Sequence, residues 1–283
     1  MSKMDQSPPE PGPDVPQTIE GYYLLHDIYN VDWAALRRLS SAERTRVAEE
    51  GAAWLRSSAA VDQGDSAAYS IITQKGDLMF LHYRHTPDEL SAIELSLKQI
   101  ELSDYLIPAY SYLSIIEVSL YEVMAIAMKR LAERGITPKS PEFADAKEEE
   151  ISKQRKHMDD RLYRDVPAQK YISFYPMNKK RGETVNWYAM PLDERRAMMR
   201  GHGSIGHKYH EIVTQVISGS VGLDDWEWGV DLHSDDTLVF KKLIYEMRFD
   251  SASALFAEFG PFYTGIRRSA EEIGVIVAGR QVT

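Results

Sequence analysis

The stretch AYSIITQKGDLMFLHYRHTPDE (residues 68–89) reads as two strands followed by the start of a helix. Ala68–Gln74 and Leu78–Arg84 are rich in β-branched and aromatic residues, and Lys75-Gly76 divides them as a turn. Thr86-Pro87-Asp88-Glu89 supplies an N-cap threonine, a proline at the first helical position and acids in the first turn, so a helix begins there and runs to about Ile100. Upstream, residues 36–59 repeat apolar positions at helical spacing behind Ser40-x-x-Glu43, a capping-box pattern. Tyr22–Asn30 before that helix, and Tyr110–Leu120 beyond the second, read as strands. The order is β-α-β-β-α-β, the split pattern of a ferredoxin-like unit.

The second half repeats the order without repeating the residues. Strands are expected at Tyr171–Met177, Ile212–Ser218 and Trp226–Leu232, with helices at Leu192–Lys208 and Asp236–Leu243. A last strand over Ile244–Asp250 completes the second unit. The expected fold is therefore α+β, two tandem ferredoxin-like (β-α-β-β-α-β) units of the dimeric α+β barrel type. The predicted division is a proline-rich, disordered leader (1–20), an N-terminal unit (21–120), a connector (121–168) and a C-terminal unit (169–283). The leader holds Pro8, Pro9, Pro11, Pro13 and Pro16 with almost no large apolar side chain to offset its ordering entropy. The connector contains a helical stretch ending at Gly135 and a charged run, Lys147–Asp160, expected to be a solvated helix face or a linking segment.

Composition narrows the chemistry. A net charge of −10 argues against general nucleic-acid binding. Zero cysteines exclude disulfides, Cys-ligated zinc, iron–sulfur clusters and thiol nucleophiles, and fit a reducing cytoplasm, the expected location. The most apolar run, Leu113–Met128, is broken by Glu117 and Glu122, so no membrane span is expected.

Familiar signatures fail on context. His210-Glu211 opens like a zinc-peptidase helix, but the second histidine would fall at Thr214. Gly201-x-Gly203-x-x-Gly206 follows a helical segment rather than a strand, so it is not a dinucleotide fingerprint. His202, His207 and His210 share no clean helix face for a metal. More informative is Tyr171–Met177 followed by Asn178-Lys179-Lys180-Arg181, which sets a tyrosine and a methionine beside three cations. Tyr175 and Met177 point to the same side of a strand. Taken alone, this pattern is more often that of a core strand, with Tyr175 partly buried, and a solvated basic loop. His202 is flanked by Gly201 and Gly203, which leave room for a flat ligand near the imidazole.

Together, FYPMNKKR (174–181), the His202-Gly203 pair, QVISGSVGLDDWEWGV (215–230) and FKKLIYEMRFDSASALFAEFGPFYTG (240–265) resemble the coproheme decarboxylase branch of the chlorite dismutase-like family, Gram-positive-type form. The first half is similar mainly in element order.

The resemblance implies His202 as proximal iron ligand, Tyr175 as the redox-active residue and Lys179 as the cation beside the reacting propionate. Fe-coproporphyrin III (coproheme) would be substrate and redox centre, hydrogen peroxide the co-substrate and haem b the product. Two propionates would become vinyls through a tyrosyl radical on Tyr175. Arg161 and Ser253 match propionate-binding positions; Pro176, Met177 and Asn178, with the backbone of 175–179, line the pocket; Gln215 matches the distal residue. Chlorite-degrading relatives carry arginine at that position, and neutral Gln215 cannot supply its charge. A haem peroxidase or chlorite-type enzyme and a non-enzymatic haem carrier or sensor are the alternatives. The resemblance also implies a homopentamer and a transient contact with ferrochelatase. His207 stands where close relatives have arginine, and residues 121–137 look like an insertion. A continuous helix from His202 to Gln215 would separate them by ~20 Å, so they must lie on different elements to flank one iron.

Overall fold

In the computed structural model, residues 12, 15–153 and 155–282 are described. The N-terminal unit runs β1 (Thr18–Val31), α1 (Trp33–Arg38), α2 (Ser41–Ala59), β2 (Asp65–Ile71), β3 (Leu78–Arg84), α3 (Pro87–Leu97) and β4 (Leu106–Ser119). Strand β1 begins at Thr18, a correction to the leader read as reaching residue 20; most of that leader (1–11, 13 and 14) lies outside the described residues. Both capping boxes form: Glu43 N donates to Ser40 Oγ while Ser40 N donates to Glu43 Oε2, and Thr86 and Glu89 do the same at α3.

The connector folds as α4 (Tyr121–Glu133), α5 (Phe143–Ser152) and α6 (Arg155–Leu162). The C-terminal unit follows with β5 (Tyr171–Lys179), α7 (Leu192–Lys208), β6 (Thr214–Gly219), β7 (Trp228–Ser234), α8 (Thr237–Met247), α9 (Ser251–Phe256), β8 (Ala257–Phe259), β9 (Tyr263–Arg268) and α10 (Ala270–Val277). Two further expectations are overturned: the charged run is not wholly a solvated face, since Glu150 and Met158 are buried, and Ile244–Asp250 is not a strand. Phe240, Leu243 and Met247 are buried at helical spacing, so α8 continues through Met247 and the closing strand comes later, at β9.

Each unit has the ferredoxin-like strand order, β4-β1-β3-β2 and β6-β7-β5-β9, with every pair antiparallel. The units are joined at both edges. Ile115 and Ile116 of β4 pair with Gly219 and Ser218 of β6, and β2 pairs with β9 from Ala68↔Arg268 to Ile71↔Gly265. Eight of the nine strands thus close into a ring, with β8 added against the end of β5.

Strand alternation sorts side chains into an interior and two outer faces. Leu24, Ile28, Leu81, Tyr112, Ile172 and Phe174 fill the barrel, and Met158 and Leu162 of α6 belong to the same cluster. Within it, His26 Nε2 lies 2.9 and 3.1 Å from the two carboxylate oxygens of Asp231, both residues fully buried, and the His26 ring stacks on Phe174 at 4.0 Å. Phe80 and Leu78 face outward under Val47, Trp54 and Leu55 of α2. On the C-terminal unit, Tyr175, Val230 and Leu232 face outward and pack with Phe240, Leu243 and Met247 of α8 and Ile205 of α7. No helix among the described residues is long and apolar enough to cross a membrane.

Candidate functional site

The outer face of the C-terminal sheet collects most of the residues singled out from sequence. On β5, Tyr175 and Met177 join this cluster, as strand parity required. The Tyr175 ring stacks on Phe262 at 4.5 Å and lies 5.7 Å from Phe259. Its hydroxyl makes no hydrogen bond to another described residue. Burial pushes its pKa well above the ordinary tyrosine value, opposed only in part by Arg248, so the phenol keeps its proton.

Two positions further along the same face, Lys179 is buried. Its Nζ donates to Ala252 O at 3.3 Å and sits 4.6 Å from the Trp187 ring centroid. Its backbone N–H donates to Glu227 Oε2 at 2.7 Å. Burial lowers the ammonium pKa to about 8, although Asp250 and Glu227 favour the charge. Desolvated and held by a neutral carbonyl and a ring face, this cation is suited to pairing with a carboxylate.

His202 stands on α7, a helix with Asp193 and Glu194 in its first turn and His207 and Lys208 in its last, in keeping with its dipole. Its Nδ1 is 2.9 Å from Asp250 Oδ2. Asp250 also accepts from Ser253 N at 2.9 Å and Ser253 Oγ at 3.0 Å. Burial works against the Asp250 charge, but the hydrogen bonds from His202 and Ser253 prevail and hold its carboxyl below the usual range. With Nδ1 as donor to this carboxylate, a neutral ring would present Nε2 as the acceptor, and the side chain is 28% exposed. That is the arrangement of a metal-ligating histidine with an outer carboxylate. Methyl groups placed on Gly201 or Gly203 would meet nothing within 4 Å, so space is open on both sides.

The remaining residues fall into three groups. Gln215 lies on β6, its Nε2 3.4 Å from Gly206 O, one helical turn beyond His202. A Cβ on Gly206 would lie 3.3 Å from that Nε2, so the glycine allows α7 to approach β6 closely. Ser253 is placed to buttress Asp250, and Asn178 Oδ1 accepts the Glu227 backbone N–H at 2.9 Å. Pro176 is buried, and its carbonyl accepts from Gly260 N at 2.8 Å. Arg161 sits exposed on α6, whose buried side belongs to the barrel interior rather than to the Tyr175 cluster. His207, also exposed, stacks on His210 at 4.4 Å.

Three contributors escaped the sequence reading: Asp250, Glu227 and Trp187. Asp250 precedes Ser-Ala-Ser253 and caps α9 through Ser253 N, a pattern visible in sequence as an N-cap once the preceding segment is read as helix. Glu227 and Trp187 act across gaps of 48 and eight residues from Lys179, and only the fold brings them to it.

A family model described as chlorite dismutase matches residues 44–268. A solved structure described as a novel heme-binding protein from Thermus thermophilus is 36% identical, with 94% of this chain and 98% of that chain covered and a TM-score of 0.79. A mutant chlorite dismutase from Candidatus Nitrospira defluvii is similar in fold at 17% identity, covering 92% and 97% of the two chains with a TM-score of 0.69. A further structure, described as a putative chlorite dismutase, is 16% identical over 91% and 99%, with a TM-score of 0.68.

Proposed function

From the premise that the chain belongs to the chlorite dismutase family, we propose that it binds coproheme and, with hydrogen peroxide, decarboxylates two of its propionates to give haem b. The observation that carries this reading is the convergence of Tyr175, Lys179 and the Asp250-held His202 on one side of the C-terminal sheet. The donor set fits an iron porphyrin: an imidazole with its nitrogens differentiated by a carboxylate, and a desolvated cation for an acidic side arm. Bound there, the iron porphyrin supplies the oxidising centre that peroxide drives.

The chain's own residues do the rest. His202 Nε2 holds the iron, and Asp250 fixes the tautomer and orientation of its ring. Gln215, on β6 beside α7, would offer the bound porphyrin a neutral amide. Lys179 binds the carboxylate that is to leave as carbon dioxide. Tyr175 would give up its phenolic hydrogen atom and regain one from the propionate β-carbon, and the carbon radical so formed would lose a second electron as the bond from the α-carbon to the carboxylate breaks. Each round is a two-electron oxidation, with one peroxide reduced to two waters as one propionate becomes a vinyl group and carbon dioxide. Arg161 and Ser253 as propionate contacts, a homopentamer and a transient ferrochelatase contact belong to the same proposal.

The test is to titrate the protein with ferric coproheme, add peroxide stepwise and follow product mass. Two successive losses of a carboxyl group, ending at haem b, are expected. Tight binding with no mass change overturns the reaction in favour of a carrier or another haem enzyme; no binding removes His202 as ligand.

The rate should also carry the signature of Lys179. A lysine is cationic below its pKa, so the rate is expected to fall as pH rises through about 8, or somewhat higher once a bound carboxylate favours the charge. Lys179→Met should be slow and lack this limb in a pH–rate profile. A limb that persists in the variant belongs to another group.

A further inference from the structure

The solvent side of α8 is unusual for a chain of net charge −10. Leu238 is 50% exposed, Tyr245 65% and Phe249, in the turn that closes the helix, 73%. At ~100° per residue these three form one stripe, with Lys242 on one flank and Lys241 and Arg248 on the other, all within an arc of about 120°. All three cations are exposed, but the Arg248 guanidinium is turned over the Phe259 ring at 4.1 Å, towards the Tyr175 cluster. Tyr245 and Phe249 pack edge to face at 5.2 Å, which keeps the stripe continuous, and Phe249 N donates to Glu246 O at 3.1 Å, carrying the last turn outward. Of the neighbouring acids, Glu246 pairs with Lys208 and Asp250 contacts His202, while Asp235 and Asp236, at the far end of the helix, accept from the backbone of Lys170 and Leu238 and keep their charge.

An apolar and aromatic centre bordered by cations on both sides is the pattern of a helix that lies in a membrane interface. We propose that this ridge docks the protein on an anionic phospholipid surface, with Phe249, Tyr245 and Leu238 entering the headgroup boundary and Lys241 and Lys242 meeting phosphates. Charge complementarity selects the occupant. The protein as a whole is repelled by an anionic surface, so only a local cationic ridge can hold it there, and in one orientation. The opposite side of α8 carries Phe240, Leu243 and Met247 of the Tyr175 cluster, so docking would leave the thickness of one helix between that cluster and the lipid.

The test uses the full chain without porphyrin, so its outcome is independent of the proposed reaction. The protein is sedimented with vesicles rich in phosphatidylglycerol and with vesicles of phosphatidylcholine alone. Binding to the first and not the second is expected, weakening with salt. Lys241→Gln and Lys242→Gln should each lower the partition coefficient about fivefold, the factor for one cation near an anionic leaflet. Phe249→Ser should reduce binding further, whereas Lys139→Gln, exposed on the connector, should leave it unchanged. Thermal melting checks that each variant is folded. No binding by the unaltered chain, or binding that Lys241, Lys242 and Phe249 variants leave intact, overturns the proposal. If light scattering finds that Phe249→Ser reduces the assembly size while the unaltered chain ignores vesicles, the ridge is covered by a second copy instead.

Discussion

Tyr175→Phe is expected to bind coproheme as the unaltered chain does and to lose decarboxylation by roughly 10²-fold or more, the scale of losing a group that moves its proton in the reaction. The geometry separates the two effects cleanly. The Tyr175 hydroxyl has no hydrogen bond to another described residue, so its removal leaves no buried partner unsatisfied. Its ring keeps the stacking on Phe262 and the contact with Phe259, so the outer cluster stays packed. Burial keeps the phenol protonated, which suits a group that donates a hydrogen atom rather than an anion. Binding is read by optical titration and turnover by product mass. Haem b formed at the ordinary rate by Tyr175→Phe would falsify the radical role, while a failure to bind would make the hydroxyl a binding group.

The largest loss of stability is expected from Asp231→Ala. Asp231 accepts from His26 across the barrel, joining β7 of one unit to β1 of the other, with neither side chain in contact with water. Removing the carboxylate leaves a buried imidazole without its partner and opens a gap beside the Phe174 stack. A buried hydrogen-bonding group left unsatisfied costs about 1–3 kcal/mol, and the gap adds to it. The double variant His26→Phe, Asp231→Leu should recover much of that, because it leaves no orphaned polar group. Urea denaturation midpoints check both. If Asp231→Ala shifts stability by less than about 1 kcal/mol, the pair has no such role.

The local chemistry of this fold is written plainly in the chain. Ser40 with Glu43 and Thr86-Pro87 with Glu89 mark two helix starts, and both boxes form. The parity of Tyr175 and Met177 on β5 placed both side chains on the correct face. The failure at Ile244–Asp250 has a physical cause. A run with isoleucine, tyrosine and phenylalanine has strand propensity, but Phe240, Leu243 and Met247 bury together only on a helix, and tertiary packing outweighs propensity. What no local pattern carries is closure. The β4–β6 joint rests on two residue pairs, and the His202–Asp250 contact spans 48 positions. Such pairings depend on which surfaces the folded units present to each other.

The closed ring has a consequence for the connector. Each unit alone ends in two bare edges, β4 and β2 in one and β6 and β9 in the other, and each finds its complement only in its counterpart. The α4–α5 part of the connector therefore acts as a tether that raises the effective concentration of one half around the other, while α6 packs Met158 and Leu162 into the barrel cluster and the edges specify the two seams. Loop-closure entropy grows only slowly with tether length. That is the physical reason why a helical hairpin, α4 and α5, can be accommodated between the halves without disturbing the register of either seam.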